Sequence, residues 1–244
     1  FDLALGGYGR ALGLVAFDAF VFHSRAVALG RLGRNVDALK DLDRALMLRP
    51  EYGIAYETRA RVLLDLAMTA PPDARAAHLA QALDDADRAL ALEGPDDQAR
   101  LHTSRGRVRF YLGRVDAAIA DFDRALALQP DDLVALSLRG AAFADTGDFE
   151  HAIADFSSLL RLKPATRVVR SARAYSYFQS QQYALALADL ERVLTEAPSD
   201  MAAKYCHGAA RIRTGDAGGR AEVDSVVLQR PDIAEAQATV CSLP

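Results

Sequence analysis

From Leu133 to Pro164 the chain reads LVALSLRGAAFADTGDFEHAIADFSSLLRLKP, and its apolar and small residues fall into two separate stripes. Numbered locally from 1 to 32, Leu136, Gly140 and Phe143 stand at 4, 8 and 11, while Ala152, Phe156, Leu159 and Leu162 stand at 20, 24, 27 and 30. Steps of three and four residues keep each set on one face of a helix, so the segment predicts two amphipathic helices. Between them, in TGD, Gly147 can take the left-handed backbone that closes the first helix and Asp148 can cap the second. Pro164 lacks a backbone donor and stops the second helix. The segment therefore reads as a helix-turn-helix hairpin.

The same grid returns along the chain. DFDRALALQP, Asp121 to Pro130, is echoed by DLDRALMLRP, DADRALALEGP, DFSSLLRLKP and DLERVLTEAP. The prolines Pro50, Pro95, Pro130, Pro164, Pro198 and Pro231 follow one another at 45, 35, 34, 34 and 33 residues. A constant period of this length predicts stacked repeats, so the 244 residues count hairpins rather than domains. Position 8 is always small (Ala26, Ala60, Gly106, Gly140, Ala174, Gly208), and so is position 20 (Ala38, Ala82, Ala118, Ala152, Ala186, Gly219). Small residues let paired helices cross closely, and larger ones at position 24, such as Leu42, Phe122, Phe156 and Leu190, fill the space beside them.

Small residues at 8 and 20, Leu or an aromatic at 24, Ala45, Ala89 and Ala125 at 27 and Pro at 32 form a pattern that resembles the tetratricopeptide repeat family over nearly the whole chain. The resemblance implies an all-α, right-handed superhelical solenoid of helix-turn-helix hairpins. The family's frequent Trp at position 4 is replaced by Phe22, Tyr56, His102, Leu136, Arg170 and Lys204, and position 27 drifts to Leu159, Val193 and Val226. Repeats are expected over 19–52, 53–98, 99–132, 133–166, 167–200 and 201–231, followed by a capping helix over 232–244. Residues 1–18 align with the second helix of a hairpin, so the chain reads as starting inside a repeat. The second full repeat carries about ten extra residues near 69–79, read either as an early start to its second helix, as a loop insertion or as a private contact site.

In this family the first helices line a concave groove with positions 2, 5, 9, 12 and 13. Carried across by resemblance, these positions hold Phe20, His23 and Arg31, then Glu57, Arg61 and Asp65, then Arg100, Arg107, Phe110 and Tyr111. Later repeats add Asp145, then Tyr175, Phe178 and Gln179, then Tyr205, Ile212 and Arg213. Five arginines against three acids, interleaved with aromatics, suit a peptide or helical segment with acidic and apolar side chains. The Lys and Asn that grip chaperone tails in some members have no counterpart at positions 5 and 9, which argues against that ligand.

Charge and chemistry narrow the function further. A net charge of −4 argues against nucleic acid as the partner, and no apolar run is long enough to span a membrane. The five histidines show no metal-ligand spacing, and no cofactor motif is present. Cys206 and Cys241 fall short of a disulfide framework and read as small core residues. Asp41, Asp85, Asp121 and Asp189, each three residues before an Arg, read as ion pairs on a solvated helix face. The sequence thus predicts a non-enzymatic interaction scaffold that binds another protein. The alternatives are a structural subunit of a larger assembly and the substrate-recruiting arm of an enzyme whose catalytic domain lies before Phe1; a related RNA-binding hairpin fits least.

Overall fold

The computed structural model describes residues 6, 7 and 18–242, so the half-repeat expected over 1–18 lies almost wholly outside the described residues. Thirteen helices are present among the described residues, in two compact units, Phe1–Pro130 and Asp131–Pro244. The first unit pairs α1 (Ala19–Arg31) with α2 (Asn35–Leu48), α3 (Gly53–Thr69) with α4 (Pro72–Leu92) and α5 (Gln98–Tyr111) with α6 (Val115–Leu128). The second pairs α7 (Leu133–Asp145) with α8 (Phe149–Leu162), α9 (Arg167–Gln179) with α10 (Tyr183–Glu196) and α11 (Met201–Arg213) with α12 (Gly218–Gln229). A last helix, α13 (Pro231–Val240), packs on both α11 and α12. The architecture is all-α, hairpin after hairpin, as the repeat grid predicts.

Local chemistry sets these boundaries. Asp132, Asp148 and Asp200 accept hydrogen bonds from the first backbone amides of α7, α8 and α11. Gly33, Gly113, Gly147 and Gly215 close first helices with φ between 72° and 86°, a conformation that costs glycine little. Gln181 holds the same place at φ 61° without glycine's freedom. Gly106 and Gly140 show why position 8 stays small: a Cβ there would lie 2.7 Å from the ring of Phe122 or Phe156. The extra residues of the second repeat form no loop. They lengthen α3 to 17 residues and α4 to 21, with Pro72 in the first turn of α4, where its missing donor costs nothing.

The repeated acid is not a surface group. Asp41, Asp85, Asp121, Asp155 and Asp189 are all buried, and each accepts two hydrogen bonds from an arginine on the preceding helix, namely Arg25, Arg59, Arg105, Arg139 and Arg173. The arginine sits at local position 7, so the fork ties the two helices of one hairpin together. The expected partner three residues onward gives way because the acid side chain points into the crossing between helices. A carboxylate out of water needs a partner that reaches in with it, and a guanidinium fork satisfies both oxygens at once. In the sixth hairpin the same place is held by His207 and Glu222, 2.8 Å apart.

Cys206 and Cys241 form a disulfide, which corrects their reading as separate core thiols. Both are fully buried, and they join α11 to the residue that follows α13. Ala234, Cys241 and Tyr205 belong to one apolar cluster with Val223 and Val226 of α12, so cap, disulfide and sixth hairpin share a core.

Candidate functional site

In the first unit α1, α3 and α5 lie side by side, and the candidate residues on them converge. Phe20 stands 63% exposed, one turn before His23. His23 is half-buried between the Thr58 hydroxyl, 2.9 Å from Nε2, and the Tyr52 hydroxyl, 3.4 Å from Nδ1. Burial and then the charge of Arg61 hold its imidazole below the ordinary histidine value. Arg31, at the end of α1, is exposed.

Arg61 and Arg107, both at local position 9, occupy the middle of this face, half-buried. Neither makes an ion pair or hydrogen bond among the described residues, and Arg107 Nε is buried with no partner at all. Burial works against the charge on Arg107, the neighbouring Arg61 adds to that, and Asp65 acts the other way. Such a group is short of a counter-charge, because a desolvated guanidinium without an acceptor carries a penalty that a bound oxyanion removes. Phe110 and Tyr111 flank it, with ring centroids 5.6 Å apart in an edge-to-face arrangement. Arg100 is different: Glu57 and Asp97 already neutralise it, so it has less to offer a ligand.

The second unit treats its candidates differently. Asp145 of α7 and Tyr175 and Gln179 of α9 line a cavity of about 380 Å³ that Val240 helps to close. Burial, and secondarily Asp200, pushes the Tyr175 phenol up to about 12, so it stays protonated. Gln179 Nε2 donates to the Val240 carbonyl at 2.5 Å, and Arg213 donates to the Ser242 carbonyl at 3.0 Å. Two of the candidate ligand-binding side chains thus hold the chain's own residues.

Phe178 and Tyr205 are not groove residues. They are 4% and 3% exposed and belong to the core, Phe178 against the ring of Tyr183 and Tyr205 in the cluster it shares with α13. An aromatic at a groove position turns inward where an apolar neighbour offers it cover, and α13 gives Tyr205 that cover. Ile212 packs partly against the same cluster. No helix among the described residues is long and apolar enough to cross a membrane.

Residues 103–165 match the family model described as tetratricopeptide repeat. The TPR repeat-containing thioredoxin TDX of Arabidopsis thaliana is 33% identical over 122 residues, which are 50% of this chain and 29% of that protein. The fold is similar to that of YrrB, a TPR protein with an unusual peptide-binding site, with a TM-score of 0.62 and 21% identity over 80% of this chain and 95% of that one. It is also similar to PilW, a type IV pilus biogenesis factor, with a TM-score of 0.70 and 19% identity over 89% of this chain and 97% of that one. A hairpin grid written six times, with the family's small residues where its helices cross, places the chain in the tetratricopeptide repeat family, whose members generally serve as protein-interaction scaffolds.

Proposed function

We propose that the chain is a non-enzymatic adaptor whose first unit binds an extended or helical segment of another protein along α1, α3 and α5. The observation that carries this reading is the pair Arg61 and Arg107, half-buried, without ion-pair partners among the described residues and close enough to feel each other's charge. Side chains that repel one another and lack acceptors are poised for an acidic group supplied from outside, and Phe20, Phe110 and Tyr111 offer apolar contacts beside them. The peptide-binding site named for YrrB is consistent with this use of the fold. A second reading, the recruiting arm of a larger enzyme, draws on the thioredoxin in the name of the plant relative, of which this chain matches 29%.

A displayed random-peptide library selected on the immobilised protein tests the proposal. Binders are expected to pair Asp or Glu with an aromatic or branched aliphatic residue. Their affinity is expected to drop by about 30-fold in Arg107→Ala and comparably in Arg61→Ala, the loss typical of truncating one side of a desolvated charge pair. Binders without acidic residues, or binders indifferent to both substitutions, overturn it.

A further inference from the structure

A second charged site lies in the other unit, on the opposite side of the first helices. Residues Arg170 and Arg173 of α9 stand two positions from Ala172 and Tyr175 respectively, about 200° around the helix from the groove side. There a cavity of about 310 Å³ opens between α8, α9 and α10, lined by Ser157, Arg161, Arg170, Arg173, Asp189 and Arg192 together with Leu160 and Pro164.

Its composition comes from three departures from the repeat that meet in one place. Position 25 holds Asp43, Asp87, Asp123 and Glu191 elsewhere, but Ser157 here. Position 4 holds Phe22, Tyr56, His102 and Leu136 in the preceding repeats, but Arg170 here and a second cation, Lys204, in the repeat that follows. Position 29 holds Met47, Ala91, Ala127 and Thr195 elsewhere, but Arg161 here. Each change moves the local charge in the positive direction.

The hydrogen bonds show what the changes leave open. In the second and third hairpins the arginine of the buried fork uses its remaining nitrogen on an acid of the preceding hairpin, Arg59 on Asp43 at 2.7 Å and Arg105 on Asp87 at 2.8 Å. Arg173 is tied to Asp189 in the same way, but its remaining nitrogen meets the neutral Ser157 hydroxyl at 3.0 Å. That oxygen accepts from Arg173, so its own hydrogen is left to donate. Arg170, only 4% exposed, donates to Glu196 at 2.8 Å and to the Pro164 carbonyl. Arg192 shares the same Glu196 oxygen at 3.8 Å, and Arg161 makes no ion pair among the described residues. Four arginines therefore face two carboxylates, both already engaged, beside the apolar surfaces of Leu160 and Pro164.

We infer that this cavity is a binding site for a small multivalent oxyanion, seated where the other hairpins place their own acid at position 25. Guanidinium groups match the paired oxygens of phosphoryl and carboxyl groups alike, and Ser157 adds a neutral donor at the centre. The site is independent of the groove proposed above, since it uses other residues in the other unit.

Titration calorimetry at low salt, with pyrophosphate in one arm and citrate in the other, tests the inference and separates the two oxyanion sources. Saturable binding is expected for at least one probe. It is expected to weaken by about tenfold or more in Ser157→Asp, which restores the acid that the other hairpins carry, with unchanged circular dichroism. The same loss is expected in the double variant Arg161→Ala, Arg192→Ala, whose exposed side chains leave the core untouched, and none in Arg61→Ala. Binding of pyrophosphate alone assigns the site to phosphoryl groups, and binding of citrate alone assigns it to carboxylates. Absence of saturable binding by both, or binding that Ser157→Asp and the double variant leave within about twofold, overturns the inference.

Discussion

Asp121 is the strongest test of the buried forks. It is 1% exposed and accepts from Arg105 Nε at 2.9 Å, Arg105 Nη2 at 2.7 Å, Arg109 Nη1 at 2.7 Å and His102 Nδ1 at 3.0 Å. Replacing it with Asn keeps the shape but removes the charge and turns one acceptor into a donor facing donors. Breaking a buried pair from one side costs about 3–5 kcal/mol. Asp87 remains 2.8 Å from Arg105, which places the expected loss toward the lower end of that range, still a large part of an ordinary domain's stability of about 5–15 kcal/mol. Asp43→Asn supplies the contrast: its side chain is 57% exposed at the outer end of the Arg59 fork, and its loss is expected to stay below about 1 kcal/mol. Urea denaturation at neutral pH reads both, with amide exchange across α5 and α6 for Asp121→Asn and across α2 and α3 for Asp43→Asn because repeat arrays unfold in parts. Equal losses in the two variants refute the reasoning.

The same carboxylate fixes a pH dependence. Burial pushes Asp121 up, but the hydrogen bonds from Arg105 and His102 and the charges of Arg105 and Arg109 outweigh it and leave the group below its ordinary value. A folded pKa below the unfolded one means that its contribution is complete above the ordinary carboxylate range, near pH 4, and is lost as the pH falls through the folded value. The gap between parent and Asp121→Asn should therefore shrink as the pH is lowered below about 4.

Two further predictions concern the ends and turns of the hairpins. The Cys206–Cys241 bond closes a loop of sequence separation 35, worth about 3–4 kcal/mol by loop entropy, so Cys241→Ser should raise amide exchange first in α13; protection equal to the parent's contradicts the bond's role. Gln181→Gly relieves a left-handed residue at φ 61° and should raise stability by about 1 kcal/mol in urea denaturation, whereas a loss would mean that the Gln side chain carries more than its backbone costs.

How much of this was legible in the sequence depends on what each feature rests upon. Helices and turns are written locally, in Gly147, Asp148 and the small residues at 8 and 20, so the hairpins follow from the pattern. The forks are not local. Arg105 and Asp121 stand 16 residues apart, and only the recurrence of that spacing at Arg25, Arg139 and Arg173 signals them. A three-residue ion pair on one helix was the nearer reading, and it failed because it considered one helix at a time. The disulfide was hidden for a similar reason: its separation of one period brings neighbouring first helices together, but which residues meet depends on how α13 docks. Phe178 and Tyr205 were misplaced because a groove position is exposed only where nothing packs on it.

The two candidate sites also differ in how far the repeat itself predicts them. The pair Arg61 and Arg107 occupies positions that any copy could use, and its standing comes from buried nitrogen without an acceptor. The cavity at Ser157 comes from the grid being broken. A repeat that maintains a fork and a counter-acid in its earlier copies, with an apolar or aromatic side chain at position 4 in three of those four, has shown what stability requires of those places. When one junction exchanges acid for hydroxyl and adds two arginines, stability gains nothing evident from the change, because the buried Arg170 must then be satisfied by Glu196 and a proline carbonyl. Departures scattered over several junctions would be drift. Three that converge on one cavity with the same sign of charge are better explained by something that the cavity holds.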